Sequence, residues 1–199
     1  MTRTVYEKID VIPLVAEALR DLGYEGASFS RITERTALGK GSLYHFFPGG
    51  KEEMAAEVLA HVDAWFATNV FRPLEEDEPQ AAIAHMLTAV DDYFRSGQRI
   101  CLVGSFALDA TRDRFVDAIQ RYFVRWITAL CGALNRTGKD PDTAKHLAED
   151  AVLAIQGALV LTRATMDNAL FSRALKRIAI SLGVPSAIGT QRSTVQTKT

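Results

Sequence analysis

The sequence predicts an all-α fold of about nine helices. No segment alternates apolar and polar residues, long stretches repeat apolar residues at three- and four-residue spacing, and glycine and proline fall mainly between those stretches. The 199 residues suffice for one small and one medium domain. The predicted helices cover residues 12–22, 28–36, 40–47, 51–72, 79–96, 100–109, 112–137, 141–167 and 170–182.

The first helix is bounded by a proline and a glycine. Gly23 follows the last apolar position of its stripe and is a typical helix stop. Pro13 lacks a backbone N–H and is best tolerated in a first turn, so we expect the helix to begin near Ile12. Residues 1–10 are then a flexible or partly helical arm.

The later helices are bounded in the same way. Pro73 and the acidic residues 75–78 predict an exposed loop after the fourth helix. Prolines suit first turns and glycines follow last turns. The expected first-turn prolines are Pro79 and Pro141, and the expected stops are Gly97, Gly138 and Gly183.

Composition restricts the possible functions. The formal net charge is −1, and residues 1–51 contain seven basic against six acidic side chains, so any nucleic-acid contact must come from local placement. The two cysteines, Cys101 and Cys131, form no zinc motif and suit a reducing cytoplasm. The most apolar run, residues 151–166, contains Gln156 and Arg163, so we expect a cytoplasmic protein without membrane association.

The stretch 28–53 predicts two short helices, a tight turn and the start of a third helix. Ala37, Leu38 and Gly39 form the turn, and Leu38 fills the space between the crossing helices. Ser28 or Ser30 can cap the first of these helices. This arrangement is a helix-turn-helix, whose second helix can enter the major groove of DNA.

Several side chains of the second helix are suited to DNA. Lys40, together with free backbone N–H groups, can bind a phosphate at the start of this helix. Gly41 and Ser42 are small enough for a close approach to base edges. The remaining candidates are Tyr44 and His45, which can donate to phosphates or contact a thymine methyl group, and Lys51 at the head of the following helix.

The run Gly-Ser-Leu-Tyr-His-Phe-Phe at 41–47, with Gly23-Tyr24 before it and Lys-Glu-Glu at 51–53, resembles the tetracycline-repressor-like (TetR) family. The variant at 47–54 resembles its LmrA/YxaF-type subgroup. This resemblance implies an all-α homodimer, in which each subunit binds half of a palindromic operator and a ligand in the C-terminal domain releases the DNA, usually relieving repression. It places the DNA contacts on Ser28, Lys40, Gly41, Ser42, Tyr44, His45 and Lys51.

The chain departs from the family pattern at two positions of the turn. Ala37 stands where many members have Gly, and a left-handed backbone there would cost Ala very roughly 1 kcal/mol. Gly39 replaces the common Ser cap, so capping must come from elsewhere.

The predicted domains are a helix-turn-helix domain at 1–50, a ligand-binding and dimerisation domain at 51–185 and a disordered tail at 186–199. We expect the helices at about 142–167 and 170–182 to form the dimer core, as the resemblance also implies. The first of them is apolar nearly all round, which predicts burial on two sides. Its small residues permit close approach of a partner: Ala151, Ala154, Gly157 and Ala158.

An effector cavity is predicted less specifically, because aromatic residues and Met at helical spacing are usually plain core. The default ligand is an apolar or aromatic small molecule. Arg163 can pair with an anionic or carbonyl group of a ligand, or with Asp167 one turn later. The candidate lining residues are Trp65, Phe66, Met86, Tyr93, Cys101, Phe106, Phe123, Trp126, Arg163 and Met166.

Other functions are less well supported by the sequence. The pairs His61 with Asp63 and His85 with Asp91 do not share one helix face at ligand spacing, so we expect no enzyme, metal or cofactor. A redox role for Cys101 or Cys131 stays open, although buried cysteines usually behave as small apolar residues. The alternative to a regulator is a helical small-molecule-binding or interaction protein with a purely structural helix-turn-helix.

Overall fold

The computed structural model describes residues 6–110 and 112–185 of the chain. Over that part it contains ten α-helices and no strand, which confirms the predicted all-α class. The helices are α1 (Lys8–Gly26), α2 (Phe29–Thr36), α3 (Lys40–Phe46), α4 (Gly50–Phe66), α5 (Arg72–Glu76), α6 (Pro79–Tyr93), α7 (Leu102–Leu108), α8 (Val116–Arg136), α9 (Pro141–Thr165) and α10 (Ala169–Leu182). A π-helical segment (Ala67–Phe71) follows α4, and a 3-10 turn (Arg112–Arg114) precedes α8.

The helix predicted over residues 51–72 is divided in the structure. α4 ends at Phe66, and the wider π-helical turn separates it from α5. α5 includes Glu75 and Glu76, which the sequence placed in an exposed loop. Pro73 is the second residue of α5, a position where its missing N–H is tolerated.

The predicted start of α1 near residue 12 is wrong, because the helix begins at Lys8 and Pro13 lies inside it. Two sets of contacts explain the earlier start. The Asp10 carboxylate accepts a hydrogen bond from the Glu7 N–H at 3.0 Å. The ammonium of Lys8 pairs with Glu57 on α4 at 2.8 Å. These contacts offset the one backbone hydrogen bond that Pro13 cannot donate.

All four predicted glycine stops have positive φ angles: Gly23, Gly97, Gly138 and Gly183. Gly23 has φ 66° and interrupts the helical geometry near the end of α1. α6 ends at Tyr93, earlier than predicted, because Arg95 and Ser96 already have positive φ angles of 51° and 53°. Gly97, at φ 88°, completes this turn.

Among the described residues, one compact unit comprises 6–68, 100–110 and 112–125. Within it α1 packs against α2, α4 and α7, and α2 packs against α3. Its buried apolar side chains include Val15, Leu19, Ile32, Leu43, Val58 and Phe66. This unit extends past residue 50, and the domain boundary proposed there stays a prediction.

Among the described residues, the second compact unit comprises 69–99 and 126–185. Within it α10 packs against α9 and α6, and α5 packs against α6. The buried indole of Trp126 donates a hydrogen bond to the sulfur of Met86 at 3.4 Å. Residues 186–199, for which a tail was predicted, lie outside the described residues.

A helix that crosses a membrane must be both long and apolar. Among residues 6–110 and 112–185, no helix meets both requirements. α9 has 25 residues, but its apolar part includes Arg163 in the last turn.

Candidate nucleic-acid interface

The helix-turn-helix is built on a small apolar core. Ile32 of α2 and Leu43 of α3 are fully buried, and so is Phe47 directly after α3. Leu38, in the turn, is 3% exposed and lies where the sequence predicted a plug between the two helices. This core holds one face of α3, and the opposite face of the helix is exposed.

The turn between α2 and α3 is held by a threonine side chain. The hydroxyl of Thr36 donates to the Ile32 carbonyl at 2.7 Å and accepts from the Leu38 N–H at 3.3 Å. Ala37 adopts the left-handed conformation, with φ 56° and ψ 16°. The left-handed backbone that was expected to strain Ala37 is therefore present. Gly39 is the N-cap of α3 and has no side chain to form the usual cap hydrogen bond.

Five of the predicted DNA contacts lie together on the exposed face of α3. They are Lys40, Gly41, Ser42, Tyr44 and His45. A Cβ atom built on Gly41 would meet no atom within 4 Å. The fold therefore does not need a glycine at this position.

Ser28 lies at the start of α2 and is also exposed. Its hydroxyl oxygen accepts a hydrogen bond from the Arg31 N–H at 3.3 Å, as expected of an N-cap. The guanidinium of Arg31 donates to the Gly26 carbonyl at 2.9 Å. Ser28 can still donate its hydroxyl proton to a phosphate.

Among the predicted DNA contacts, Lys51 has a side chain that is held by contacts within the protein. Its ammonium donates to the Tyr24 carbonyl at 3.1 Å, lies 4.3 Å from the centre of the Tyr24 ring and is 3.8 Å from the Glu25 carboxylate. The Lys51 side chain keeps 26% of its surface exposed. Burial raises the pKa of Tyr24, and a hydrogen bond with Arg114 opposes that rise.

Phe29, the first residue of α2, lies beside the candidate interface but is not among the predicted DNA contacts. The structure places its half-buried ring flat against the ring of Tyr44, with 4.4 Å between centroids and 9° between planes. Tyr44 is 48% exposed, so this contact belongs to the surface of the helix-turn-helix. Apolar spacing gives no signal that separates such a contact from core packing.

The predicted effector residues fall in different places. Several are buried side chains that contact other aromatic or sulfur-containing residues: Phe66, Met86, Phe106 and Trp126. Trp65 and Phe123 are half-buried, and Tyr93 and Cys101 are almost fully buried.

Two of those residues do not fit an internal cavity of the subunit. Arg163 is exposed, and Met166 is 86% exposed at the left-handed C-cap of α9. The suggested pairing of Arg163 with Asp167 is also replaced, because Asp167 accepts from Arg173 at 2.5 Å. Position on an apolar helix was therefore a poor guide to burial here.

Cys101 and Asp91, which were considered for redox, metal or catalytic roles, form local hydrogen bonds within the fold. The sulfur of Cys101 accepts from the Gly104 N–H at 3.2 Å as the N-cap of α7. Asp91 accepts from the Ser96 hydroxyl at 3.4 Å. Within the described ranges, no group of three or more His, Cys, Asp or Glu residues could hold a metal ion.

α9 presents an apolar face to solvent. Ala151 and Ala158 are buried, whereas Ala154 and Gly157 are exposed. Large apolar side chains lie beside the exposed pair: Leu153 is 69%, Val160 61% and Leu161 51% exposed. A groove of about 370 Å³ between α9 and α10 continues this face.

Comparison with known proteins covers both parts of the chain. Residues 16–58 match the model of bacterial regulatory proteins of the tetR family, and residues 79–177 match that of the LmrA/YxaF-like transcriptional regulator C-terminal domain. The HTH-type transcriptional regulator LmrA of Bacillus subtilis is 25% identical over 145 residues, which are 70% of this chain and 77% of LmrA. An HTH-type regulator in the lacX 3' region of Lactococcus lactis is 27% identical over 180 residues, covering 83% and 86% of the two chains.

A solved structure shows the same fold. The TetR transcriptional regulator from Legionella pneumophila superposes with a TM-score of 0.76 at 20% identity, over 90% of this chain and 99% of that one. The helix-turn-helix geometry and both family matches agree with the resemblance read from residues 41–54. The chain therefore belongs to the TetR family of bacterial regulatory proteins, with a C-terminal domain of the LmrA/YxaF type.

Proposed function

We propose that two copies of this chain form a repressor that binds a palindromic DNA operator and releases it when a small apolar or aromatic effector binds. Membership of the TetR family makes the protein a DNA-binding transcriptional regulator. The exposed face of α3 is the observation that carries the finer proposal. The proposed DNA contacts are Lys40, Gly41, Ser42, Tyr44 and His45 on that face, with Ser28 at the start of α2 and Lys51 at the start of α4.

Gly41 supports contact with DNA because packing does not explain it. Glycine inside a helix lowers stability by roughly 0.5–1 kcal/mol relative to alanine. Space for a methyl group is available at Gly41, so alanine would fit the fold. A close approach of α3 to base edges accounts for a residue without a side chain.

Dimerisation through α9 and α10 is supported by their exposed apolar face. Leu153, Gly157 and Val160 recur at spacings of four and three, which puts them on one stripe of α9. Large apolar side chains exposed in one stripe mark interaction surfaces. A second copy of the chain is the proposed occupant, because a two-fold dimer matches the symmetry of a palindromic operator.

Release by an effector follows from two conformations with different affinities for DNA. Ligand response is typical of the family to which the chain belongs. Trp65 and Phe123 have half-buried aromatic rings, so they remain candidate contacts for an apolar effector. Compounds that lower DNA affinity without unfolding the protein identify the effector class.

The DNA contact is tested with an operator obtained by selection from random DNA. Gly41→Ala is expected to raise the melting temperature while weakening binding to that operator by about tenfold or more, since an added methyl group meets a base edge. The paired readout separates function from folding. Unchanged affinity in the stabilised variant would contradict insertion of α3 into the major groove. If the selection yields no preferred sequence, the helix-turn-helix has only a structural role.

The dimer is tested by placing a charge on the exposed stripe. Val160→Glu is expected to give monomers in analytical ultracentrifugation and to weaken operator binding, because a carboxylate would be buried in the interface. Leu108→Glu is the matched control, since Leu108 is 87% exposed outside α9 and α10. A dimer that persists in the Val160→Glu variant would contradict this interface.

A further inference from the structure

The ring of Phe29 covers one face of the ring of Tyr44. The centroids are 4.4 Å apart and the planes differ by 9°, which describes a parallel stack. Phe29 is the first residue of α2, and Tyr44 lies in the second half of α3. The stack therefore joins the two helices at their surface, outside the buried residues of the turn.

We propose that Phe29 is a positioning residue that holds Tyr44 in the orientation in which it contacts DNA. The inference rests on the proposed DNA-binding function, and it adds Phe29 of α2 to the residues that serve DNA binding. Tyr44 is 48% exposed, so one side of the ring and its hydroxyl can reach a DNA partner while the other side is packed. A side chain fixed before binding loses less conformational entropy in the complex.

Phe29 is well placed to act as a fixed support. Ser28, directly before it, caps α2 and sets the backbone there through the hydrogen bond from Arg31. Ala27 and Ile32 on either side in the sequence are fully buried. The ring of Phe29 thus projects from a rigid helix start, whereas Tyr44 alone would rotate about two side-chain torsions.

A simpler role for the pair is to hold α2 against α3. That role predicts that loss of either ring lowers stability, and that DNA affinity falls only as far as folding does. Positioning predicts that Phe29→Leu weakens DNA binding at temperatures where the variant is fully folded, and that it does so only through Tyr44. Thermal unfolding of each variant and a double-mutant cycle measured on DNA affinity together separate the two roles.

The experiment compares four proteins on the selected operator: wild type, Phe29→Leu, Tyr44→Leu and the double variant. Fluorescence anisotropy gives affinity, and thermal unfolding gives stability. Phe29→Leu is expected to weaken operator binding by about five- to tenfold per dimer, because both subunits lose a prearranged contact. In the Tyr44→Leu background, Phe29→Leu is expected to change affinity by less than about twofold.

Phe29→Tyr is the conservative variant, since it keeps the stacked ring, and it is expected to bind within about twofold of wild type. Additive losses in the double variant would overturn the positioning role, and so would wild-type affinity in Phe29→Leu. Wild-type protein that binds no operator would overturn the proposed function as well. If Phe29→Leu does not fold, Phe29→Met replaces it in the same cycle.

Discussion

The ammonium of Lys51 lies 4.3 Å from the centre of the Tyr24 ring and 3.1 Å from the carbonyl oxygen of the same residue. The end of α1 thereby holds the side chain at the head of α4. The Tyr24 ring is itself fixed, because Phe106 and Phe115 meet it edge to face with centroids 5.6 Å away. Lys51 is therefore ordered before any phosphate arrives.

Lys51→Ala is expected to reduce both stability and DNA affinity. Loss of the ring and carbonyl contacts should lower the free energy of unfolding by about 1 kcal/mol, or roughly 2–4 °C in melting temperature for a chain of this size. Affinity should fall for every DNA sequence, and the slope of log affinity against log salt should flatten by about one per phosphate lost. Thermal unfolding and anisotropy titrations in increasing salt measure these effects.

Lys40→Ala is the matched control for that prediction. Lys40 is exposed at the start of α3, so its removal should flatten the salt dependence equally while leaving the melting temperature unchanged. A Lys51→Ala protein that loses stability but keeps its salt dependence would show that Lys51 has only a structural role.

Ala37→Gly is expected to stabilise the protein by about 0.5–1 kcal/mol. Ala37 has φ 56°, where an alanine Cβ is strained and a glycine is not, although glycine also gives the unfolded chain more freedom. Ala56→Gly, on the exposed side of α4, should destabilise by a similar amount because it removes a helix former. Denaturant unfolding of both variants decides the point, and a destabilised Ala37→Gly protein would disprove the strain.

The helix-turn-helix could be predicted from the sequence because its determinants are local. Ser28 caps α2 through a hydrogen bond from a residue three positions away. Leu38 fills the turn between two helices that its own neighbours form. Lys40 and Ser42 are exposed because the neighbouring apolar residues form the opposite, buried face of α3. Such features need no knowledge of the rest of the chain.

The features that the sequence did not predict depend on distant contacts. Lys8 extends α1 by pairing with Glu57, 49 positions along the chain. Phe29 stacks on Tyr44 only because α2 and α3 cross at a particular angle, which apolar spacing does not specify. The exposure of Met166 could not be predicted, because α9 is apolar on most sides and its composition does not show which side packs against α10.

Gly97→Ala is expected to destabilise the protein by roughly 2–4 kcal/mol, since backbone strain and steric overlap act together. Gly97 has φ 88°, and a Cβ atom there would lie 2.6 Å from the Cβ of Phe171 and 3.1 Å from a methyl carbon of Thr162. Gly138 has φ 91° but open space around its missing Cβ, so Gly138→Ala isolates the strain and should cost only about 1 kcal/mol. Equal losses of unfolding free energy in the two variants would contradict the close packing of the turn.

Asp91 gives the protein a pH-dependent weakness. Burial raises the pKa of the Asp91 carboxyl above its usual value, the Ser96 hydroxyl opposes this, and the neighbouring Asp92 adds to it. Among the described residues, its Oδ1 atom is buried without a hydrogen-bond partner. Because the folded state holds this proton more tightly than the unfolded chain, stability falls as pH rises from the ordinary pKa to the raised one. Above that window the loss is constant.

Asp91→Asn removes that charge and is expected to raise the melting temperature at pH 7. The advantage over wild type should shrink as pH falls through the raised pKa and vanish below the ordinary value of 3.8, where wild-type Asp91 is protonated in both states. Asp92→Asn is the comparison, because Asp92 is exposed and its removal should give only the small part of the gain that comes from its repulsion of Asp91. Thermal unfolding of the three proteins between pH 3 and pH 8 tests this, and a gap that stays constant with pH would show that the Asp91 charge is not its cause.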